Sequence, residues 1–170
     1  MRQRENHFAA IWKTERLSPE RRSSVKPEII QVEQEEDLLD CAALRKEVFG
    51  REEDGPETLC AVDAEDRKAE TRNYLLRMDK SPVAAGRFIR VDPVTAKLQR
   101  LVVLKEYRKK GFAKLLLEHM ERDAAELGYK RIVMDSALKA VGFYEKSGYS
   151  RRSEVFYEDN RPHVKMEKAL

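Results

Sequence analysis

One stretch of the sequence, residues 98–127, constrains the fold more than any other. It begins with the apolar run 101–104, rich in β-branched residues, which predicts a strand. A basic loop follows at 105–110, and Gly111 opens a segment with helical spacing that ends before Gly128. The apolar residues at this spacing are Phe112, Leu115, Leu116, Met120, Ala124 and Leu127. The stretch therefore predicts a strand, a short loop and an amphipathic helix in direct succession.

The junction between this loop and the helix has the features of an anion-binding site. The first N–H groups of a helix lack backbone partners, and the helix dipole favours a nearby anion by about 0.3–1 kcal/mol. Arg108, Lys109 and Lys110 add positive charge at the same place. The alternative is a simple turn that carries solvated basic residues. The chain contains neither GxxxxGK[ST] nor GxGxxG, so the common nucleotide-binding loops are excluded.

The remaining sequence alternates between strand and helix patterns without internal repeats. Strands are predicted at 28–33, 72–78, 83–90, 101–104, 131–135, 152–157 and 163–167, and helices at 36–49, 112–127 and 138–147. The positions of the first helix expected to face inward are Leu38, Leu39, Ala42, Ala43 and Val48. Residues 50–69 lack a clear period and are predicted to form a loop with a helical turn. This order indicates a mixed α/β (α+β) sheet.

Composition limits the class of protein further. The chain has 170 residues, 38% of them charged and 41% hydrophobic, which is typical of a single globular domain. Neither a membrane-length apolar run nor a secretory signal is visible, so we expect a cytoplasmic protein without a membrane partner. Cys41 and Cys60 form no metal-binding pattern, so no metal is expected.

The positive charge is concentrated at the N-terminus. Residues 1–26 carry seven Lys or Arg and three Glu, whereas the whole chain has a net charge of +3. We therefore predict a basic N-terminal extension, 1–26, and a nearly neutral domain, 27–170. A solvated extension is the favoured interpretation, and a nucleic-acid-binding arm or a targeting segment is the alternative. Nucleic acid is not an expected partner.

Two motifs together resemble a known family. The segment 108–113 has the pattern R-x-x-G-x-A, and 140–149 reads AVGFYEKSGY. Both resemble motifs of the GNAT superfamily of N-acetyltransferases, and the resemblance extends over 28–167. It implies a mixed, mainly antiparallel central sheet of about six or seven strands, flanked by helices and splayed at its central strands.

The resemblance also implies a site for acetyl-CoA as co-substrate. The pantetheine arm would pair with the main chain of the central strand, and backbone amides of the basic loop would hold the pyrophosphate. The residues concerned are Leu101, Val102, Val103, Arg108, Lys109, Lys110, Gly111, Phe112 and Ala113. Tyr144 would contact the cofactor and act as general acid, although it could instead serve only to pack its ring against the sheet.

Acetyl transfer also requires donors for the thioester oxygen and a base for the amine. The N–H of Val103, beside a strand bulge, is the expected oxyanion donor. The base is unresolved, with His163, Glu154 and Asp135 as candidates and ordered water as the alternative. The family often has Asn or Gln where this chain has Ser136 and Ala137, which removes one expected contact to the cofactor.

The sequence and the resemblance thus predict an acetyl-CoA-dependent N-acetyltransferase. Its favoured acceptor is a primary amine of a small molecule, which would attack acetyl-CoA directly in a ternary complex. Two alternatives stay open. One is a non-catalytic GNAT module that binds acyl-CoA, and the other is a protein-amine acetyltransferase recruited by the basic extension. Sheet edges near the C-terminal strands make a homodimer possible.

Overall fold

The computed structural model describes residues 26–53 and 55–170, which form a mixed α+β fold around one eight-stranded sheet. The strands are β1 (Glu28–Gln31), β2 (Arg72–Met78), β3 (Ser81–Asp92), β4 (Thr95–Val103), β5 (Arg131–Ala137), β6 (Ser150–Arg151), β7 (Phe156–Glu158) and β8 (Arg161–Ala169). The α-helices are α1 (Glu35–Arg45), α2 (Phe112–Glu126) and α3 (Val141–Lys146). The spatial order of strands is β1-β2-β3-β4-β5-β8-β6, with β7 paired to β8, and only β4 and β5 run parallel. The predicted fold class is confirmed, with eight strands in place of six or seven.

Most predicted elements occur, but several boundaries differ. The central strand β4 starts well before residue 101, and α1 continues as a π-helix over Lys46–Glu52. The helix predicted at 138–147 divides into a 3₁₀ turn, Leu138–Ala140, and α3. The strand predicted at 152–157 is replaced by the two short strands β6 and β7. The predicted extension lies outside the described residues except for Lys26.

Helix α2 covers one face of the sheet. It buries Leu116, Leu117 and Met120 completely, and it approaches β3 so closely that a Cβ at Gly86 would lie 3.0 Å from the Met120 sulfur. The expected apolar face is therefore mostly correct, although Leu115 and Leu127 are exposed.

Helix α1 and the π-helix that continues it cover the opposite face, and the predicted inward positions are confirmed for Leu38 and Val48 but wrong for Leu39 and Ala43. Leu38, Cys41, Leu44 and Val48 are buried there, whereas Leu39 is 55% exposed. Ala43 also faces solvent. The inward stripe of α1 includes a charged residue, Arg45, which is fully buried.

Arg45 belongs to a buried charge cluster that joins α1, β3 and the irregular segment before β2. Two nitrogens of Arg45 donate to the two carboxylate oxygens of Asp66 at 2.8 and 2.9 Å. Arg87 of β3 donates to Asp66 at 2.7 Å and to both oxygens of Asp63 at 2.7 and 3.0 Å. Asn73 donates to the main-chain carbonyl of Asp66 at 3.0 Å. These contacts fix residues 63–66, which otherwise form only a 3₁₀ turn (Glu65–Arg67).

The cluster also changes the acidity of its carboxyl groups. Burial alone raises the pKa of both aspartates, but hydrogen bonds and charges from the arginines outweigh it, so the pKa of Asp63 and that of Asp66 lie below the ordinary value. Carboxylates with lowered pKa values stabilise the fold above about pH 4, and this contribution is lost as the pH falls towards the folded-state pKa.

We expect the substitution Asp66→Asn to lower the free energy of unfolding by about 3–5 kcal/mol, because it leaves two buried guanidinium groups without their shared counter-charge. Urea denaturation followed by circular dichroism measures this loss. The matched control is Glu65→Gln. Glu65 forms a partly exposed pair with Lys68 and accepts a long hydrogen bond from Thr71 at 3.4 Å, so this substitution should lower the free energy of unfolding by less than about 1 kcal/mol.

The same variant provides a pH test. Because Asp66 titrates only in the wild type, the stability of Asp66→Asn should fall less steeply below about pH 4 than that of the wild type. Equal losses from the two substitutions at pH 7, or identical acid slopes, would show that the buried cluster does not hold this part of the fold.

Candidate active site

The sheet opens where β4 and β5 separate. These parallel strands are in register only from Thr95 to Lys97 on β4 and from Arg131 to Val133 on β5. Beyond that point lies a cavity of about 650 Å³, a size suited to a small molecule. Its walls come from β4, β5, the 3₁₀ turn after β5, the turn between β7 and β8, and the segment after α1.

The inner wall of this cavity is an irregular part of β4. The register with β3 shifts between Ala85 and Arg87, so that β4 contains one residue more than its partner. Arg100 lies at this bulge with a left-handed backbone (φ 57°), which is costly for a residue other than glycine. The expected bulge is therefore present, three positions before Val103.

The strand alternation determines where the main-chain groups of β4 point. The N–H of Leu104 donates to the carbonyl of Val83 on β3 at 3.0 Å. Because main-chain groups alternate along a strand, the N–H of Val102 also points towards β3, whereas the N–H of Val103 points away from it. The carbonyl of Val103, on the same side, accepts a hydrogen bond from Arg108 Nε at 2.9 Å. On this side of β4 the parallel partner is absent after Lys97, so the Val103 N–H lies on an open strand edge.

The basic loop leads into α2 through an unusual backbone. Lys109 (φ 59°) and Gly111 (φ 84°) both have left-handed conformations. The first helical hydrogen bond runs from the N–H of Leu115 to the carbonyl of Gly111, so the N–H groups of Phe112 and Ala113 lack helical partners. Among the described residues, apart from its chain neighbours and the backbone of α2, no atom lies within 4 Å of a Cβ built on Gly111, which leaves open space for a ligand.

The three basic residues of the loop differ in their environment. Arg108 forms an ion pair with Glu52 at 2.8 Å as well as the bond to Val103. Its charge is therefore already balanced. Lys109 and Lys110 are exposed, with the ammonium of Lys110 placed 5.3 Å from the ring of Tyr107.

Tyr144 reaches the cavity from α3. Its ring is 8% exposed and packs edge-to-face against Phe143 and Tyr149, at centroid distances of 5.0 and 5.6 Å. Burial raises the pKa of its hydroxyl well above the ordinary value, so the phenol stays protonated at neutral pH. The residue is thus both a packing element and a potential proton donor that lines the cavity.

The three candidate bases lie in different environments. His163 lines the cavity, and its Nδ1 lies 2.9 Å from the carbonyl of Arg161, so Nδ1 carries the hydrogen and Nε2 can accept one. Asp135 also lines the cavity but is ion-paired with Lys97. Glu154 borders a separate shallow depression next to Val155 and does not line the cavity.

The contacts of one part of the wall were not visible in the sequence. The segment after α1, residues 46–53 and 55–59, is called here the bridging segment. Glu53 pairs with Lys139 after β5 and, at 3.5 Å, with Arg161 of β8, while Glu52 pairs with Arg108 near β4. The bridging segment therefore joins the two sides of the open sheet. These glutamates stand in a charged stretch without period, and no local signal separates them from solvated residues.

Within the described parts of the chain, no helix has the length and apolar character needed to cross a membrane. No group of three or more His, Cys, Asp or Glu in those parts is arranged to hold a metal ion.

Comparison with known proteins gives concordant results. A family model described as an acetyltransferase (GNAT) domain matches residues 49–170. The uncharacterized protein YyaT of Bacillus subtilis (strain 168) is 32% identical over 142 residues, which cover 84% of this chain and 95% of YyaT. The crystal structure of an acyl-CoA N-acyltransferase from Pseudomonas aeruginosa aligns with a TM-score of 0.74 at 24% identity, covering 86% of this chain and 100% of that chain. That of an aminoglycoside 6'-N-acetyltransferase complexed with coenzyme A aligns with a TM-score of 0.69 at 18% identity, covering 84% and 96%.

We expect Glu53→Gln to loosen the bridging segment without unfolding the protein, because it removes two partly exposed ion pairs that together contribute about 1 kcal/mol. Hydrogen exchange should become about fivefold faster at the amides of Leu59 and Cys60, which form turn hydrogen bonds in this segment. The matched control is Glu47→Gln, whose exposed pair with Arg51 stays within the π-helix. Equal exchange rates in the two variants would contradict the bridging role.

Proposed function

Because the chain belongs to the GNAT superfamily of acetyltransferases and is therefore an acyltransferase, we propose that it transfers the acetyl group of acetyl-CoA to a primary amine of a small molecule. The amine attacks directly while both substrates are bound. The observation that carries this proposal is the meeting, in one cavity, of the open edge of β4 and the protonated hydroxyl of Tyr144.

The residues present fit acetyl-CoA, which supplies the activated acetyl thioester. The N–H groups of Phe112 and Ala113 are available to the pyrophosphate, and Gly111 leaves the space that such an approach requires. Lys109 and Lys110 supply uncompensated positive charge nearby, whereas Arg108 holds the loop against β4 and the bridging segment. The likeness to a structure that contains coenzyme A supports the same assignment.

The N–H of Val103, on the open edge of β4, and the hydroxyl of Tyr144, which lines the cavity, have complementary roles. The N–H of Val103 donates a hydrogen bond to the thioester oxygen, where negative charge develops during the attack. Tyr144 donates its proton to the departing sulfur, and its raised pKa keeps this proton available at neutral pH. Ring packing against Phe143 and Tyr149 fixes the hydroxyl for this task.

The amine must lose a proton to become a nucleophile. Of the three candidates, His163 is the best placed, because it lines the cavity and its Nε2 can accept a proton directly or through water. Asp135 is held by Lys97, and Glu154 lies outside the cavity. We therefore assign proton acceptance to His163.

Substitution of Gly111 by Glu should weaken acetyl-CoA binding at least tenfold, because the new carboxylate occupies the space proposed for the phosphates. Isothermal titration calorimetry with acetyl-CoA measures the change. Gly128→Glu is the matched control, since Gly128 (φ 95°) lies beyond the other end of α2 with equally open space and equal backbone cost. Similar affinities in the two variants would argue against the phosphate site.

Replacing Tyr144 by Phe should lower kcat about 100-fold and leave the affinity for acetyl-CoA within about threefold, because only the proton donor is removed. The assay is CoA release over a panel of primary amines. Tyr149→Phe removes the same hydroxyl from the neighbouring ring, which does not line the cavity, and should keep wild-type kcat. A protein that binds acetyl-CoA but acetylates no amine would instead be a non-catalytic binding module.

A further inference from the structure

The buried charge cluster described above has an unbalanced positive charge. Its members are Arg45, Arg87, Arg100, Asp63 and Asp66, so three guanidinium groups face two carboxylates. Both oxygens of each aspartate are already engaged by Arg45 or Arg87 at 2.7–3.0 Å. Arg100 therefore carries the charge that the cluster does not neutralise.

The contacts of Arg100 are correspondingly weak. Its guanidinium lies 3.6 Å from Asp63 and donates to the carbonyl of Thr58 at 3.4 Å. Its Nε is buried and has no hydrogen-bond partner in the described residues. Burial, and then the charges of Arg87 and Arg45, lower the pKa of Arg100. An anion beside Arg100 would relieve the repulsion between the guanidinium groups.

The position of Arg100 makes it accessible to a ligand. It lies at the bulge of β4 and lines the cavity, next to the strand edge where the acetyl group is proposed to react. Gln99 is its neighbour in the cavity wall, and the side-chain oxygen of Gln99 accepts a hydrogen bond from Arg87 Nε at 3.1 Å. The amide NH₂ of Gln99 is therefore left as a second donor.

The other charges of the cavity define a second pole. Glu52, Glu53 and Asp135 are all ion-paired. Glu158 and Asp159, on the turn between β7 and β8, line the cavity and form no ion pair within the described chain. Lys139 and Arg161 share the carboxylate of Glu53. The cavity thus presents the weakly paired guanidinium of Arg100 on β4 and the carboxylates of Glu158 and Asp159 on the opposite wall, an arrangement complementary to a zwitterion.

We propose that the acceptor is an amino acid or a close relative, whose carboxylate binds Arg100 and the amide of Gln99. This inference rests on the proposed acetyl transfer and specifies its substrate class. A carboxylate is the anion that matches a single excess positive charge, and the paired N–H donors of a guanidinium can bind it in a bidentate manner. Glu158 and Asp159 attract the ammonium group before it loses its proton.

The test compares free amino acids with their carboxamides, which keep the amine and the side chain but remove the negative charge. CoA release should show kcat/KM higher for the acids by between about 10-fold and 100-fold, as expected for hydrogen bonds to a charged group. In Arg100→Gln this preference should disappear through a rise in KM, and Arg100→Lys should restore part of it. Arg90→Gln, on an exposed part of β3, is the matched control and should keep the preference.

The outcomes separate this inference from the function on which it rests. Calorimetry with acetyl-CoA and assays with carboxamides test acetyl transfer itself, without any requirement for an anion. If the protein acetylates carboxamides and no free amino acid has a higher kcat/KM than its carboxamide, the substrate proposal is overturned, whereas the proposed acetyl transfer stands. If Arg100→Gln lowers kcat/KM equally for the amino acids and for their carboxamides, Arg100 has a structural role and the substrate proposal is again overturned. Absence of acetyl-CoA binding by the wild type would overturn both.

Discussion

The carboxylate of Asp66 is the point on which the irregular segment before β2 depends. It has no access to solvent, and it is held by Arg45 of α1 and Arg87 of β3. A charge buried in this way is tolerated only because both oxygens are engaged by guanidinium groups. The same contacts anchor an irregular segment that has little regular secondary structure of its own. The helix before this segment and the segment itself are thereby held at fixed positions on one face of the sheet.

The site itself depends on a second constraint, the short pairing of β4 with β5. A parallel pair that continued along both strands would close the sheet and use the main-chain groups of β4. Here the register ends at Lys97 and Val133, and the bulge at Arg100 turns β4 further from a regular path. The open edge is tolerable because the bridging segment, α3 and the turn before β8 enclose it. The separation of the two strands thus creates the cavity, and the side chains line it.

The sequence predicted those features that are encoded locally. The glycine-started helix after a basic loop, the order of strands and helices, and Tyr144 at the start of a helix all follow from patterns within about ten residues. The features that the sequence did not predict have a different origin. Arg45 occupies a core position on α1 because Asp66, 21 residues away, neutralises it, and the pairs of Glu53 with Lys139 and Arg161 connect distant parts of the chain. Hydrophobic periodicity cannot reveal a charged residue whose burial depends on such a partner.

Arg108 shows how a residue identified by a motif can act differently from its expected role. The sequence suggests a cation directed at a bound anion, whereas its side chain donates to the Val103 carbonyl and pairs with Glu52. A guanidinium engaged in this way contributes little net charge to the loop, so in the proposed phosphate site the main-chain N–H groups and the two exposed lysines would supply the attraction. What Arg108 does supply is a link between the end of β4, the loop before α2 and the bridging segment. The loop before α2 and the bridging segment are therefore joined through one side chain, and a displacement of either is resisted by the other.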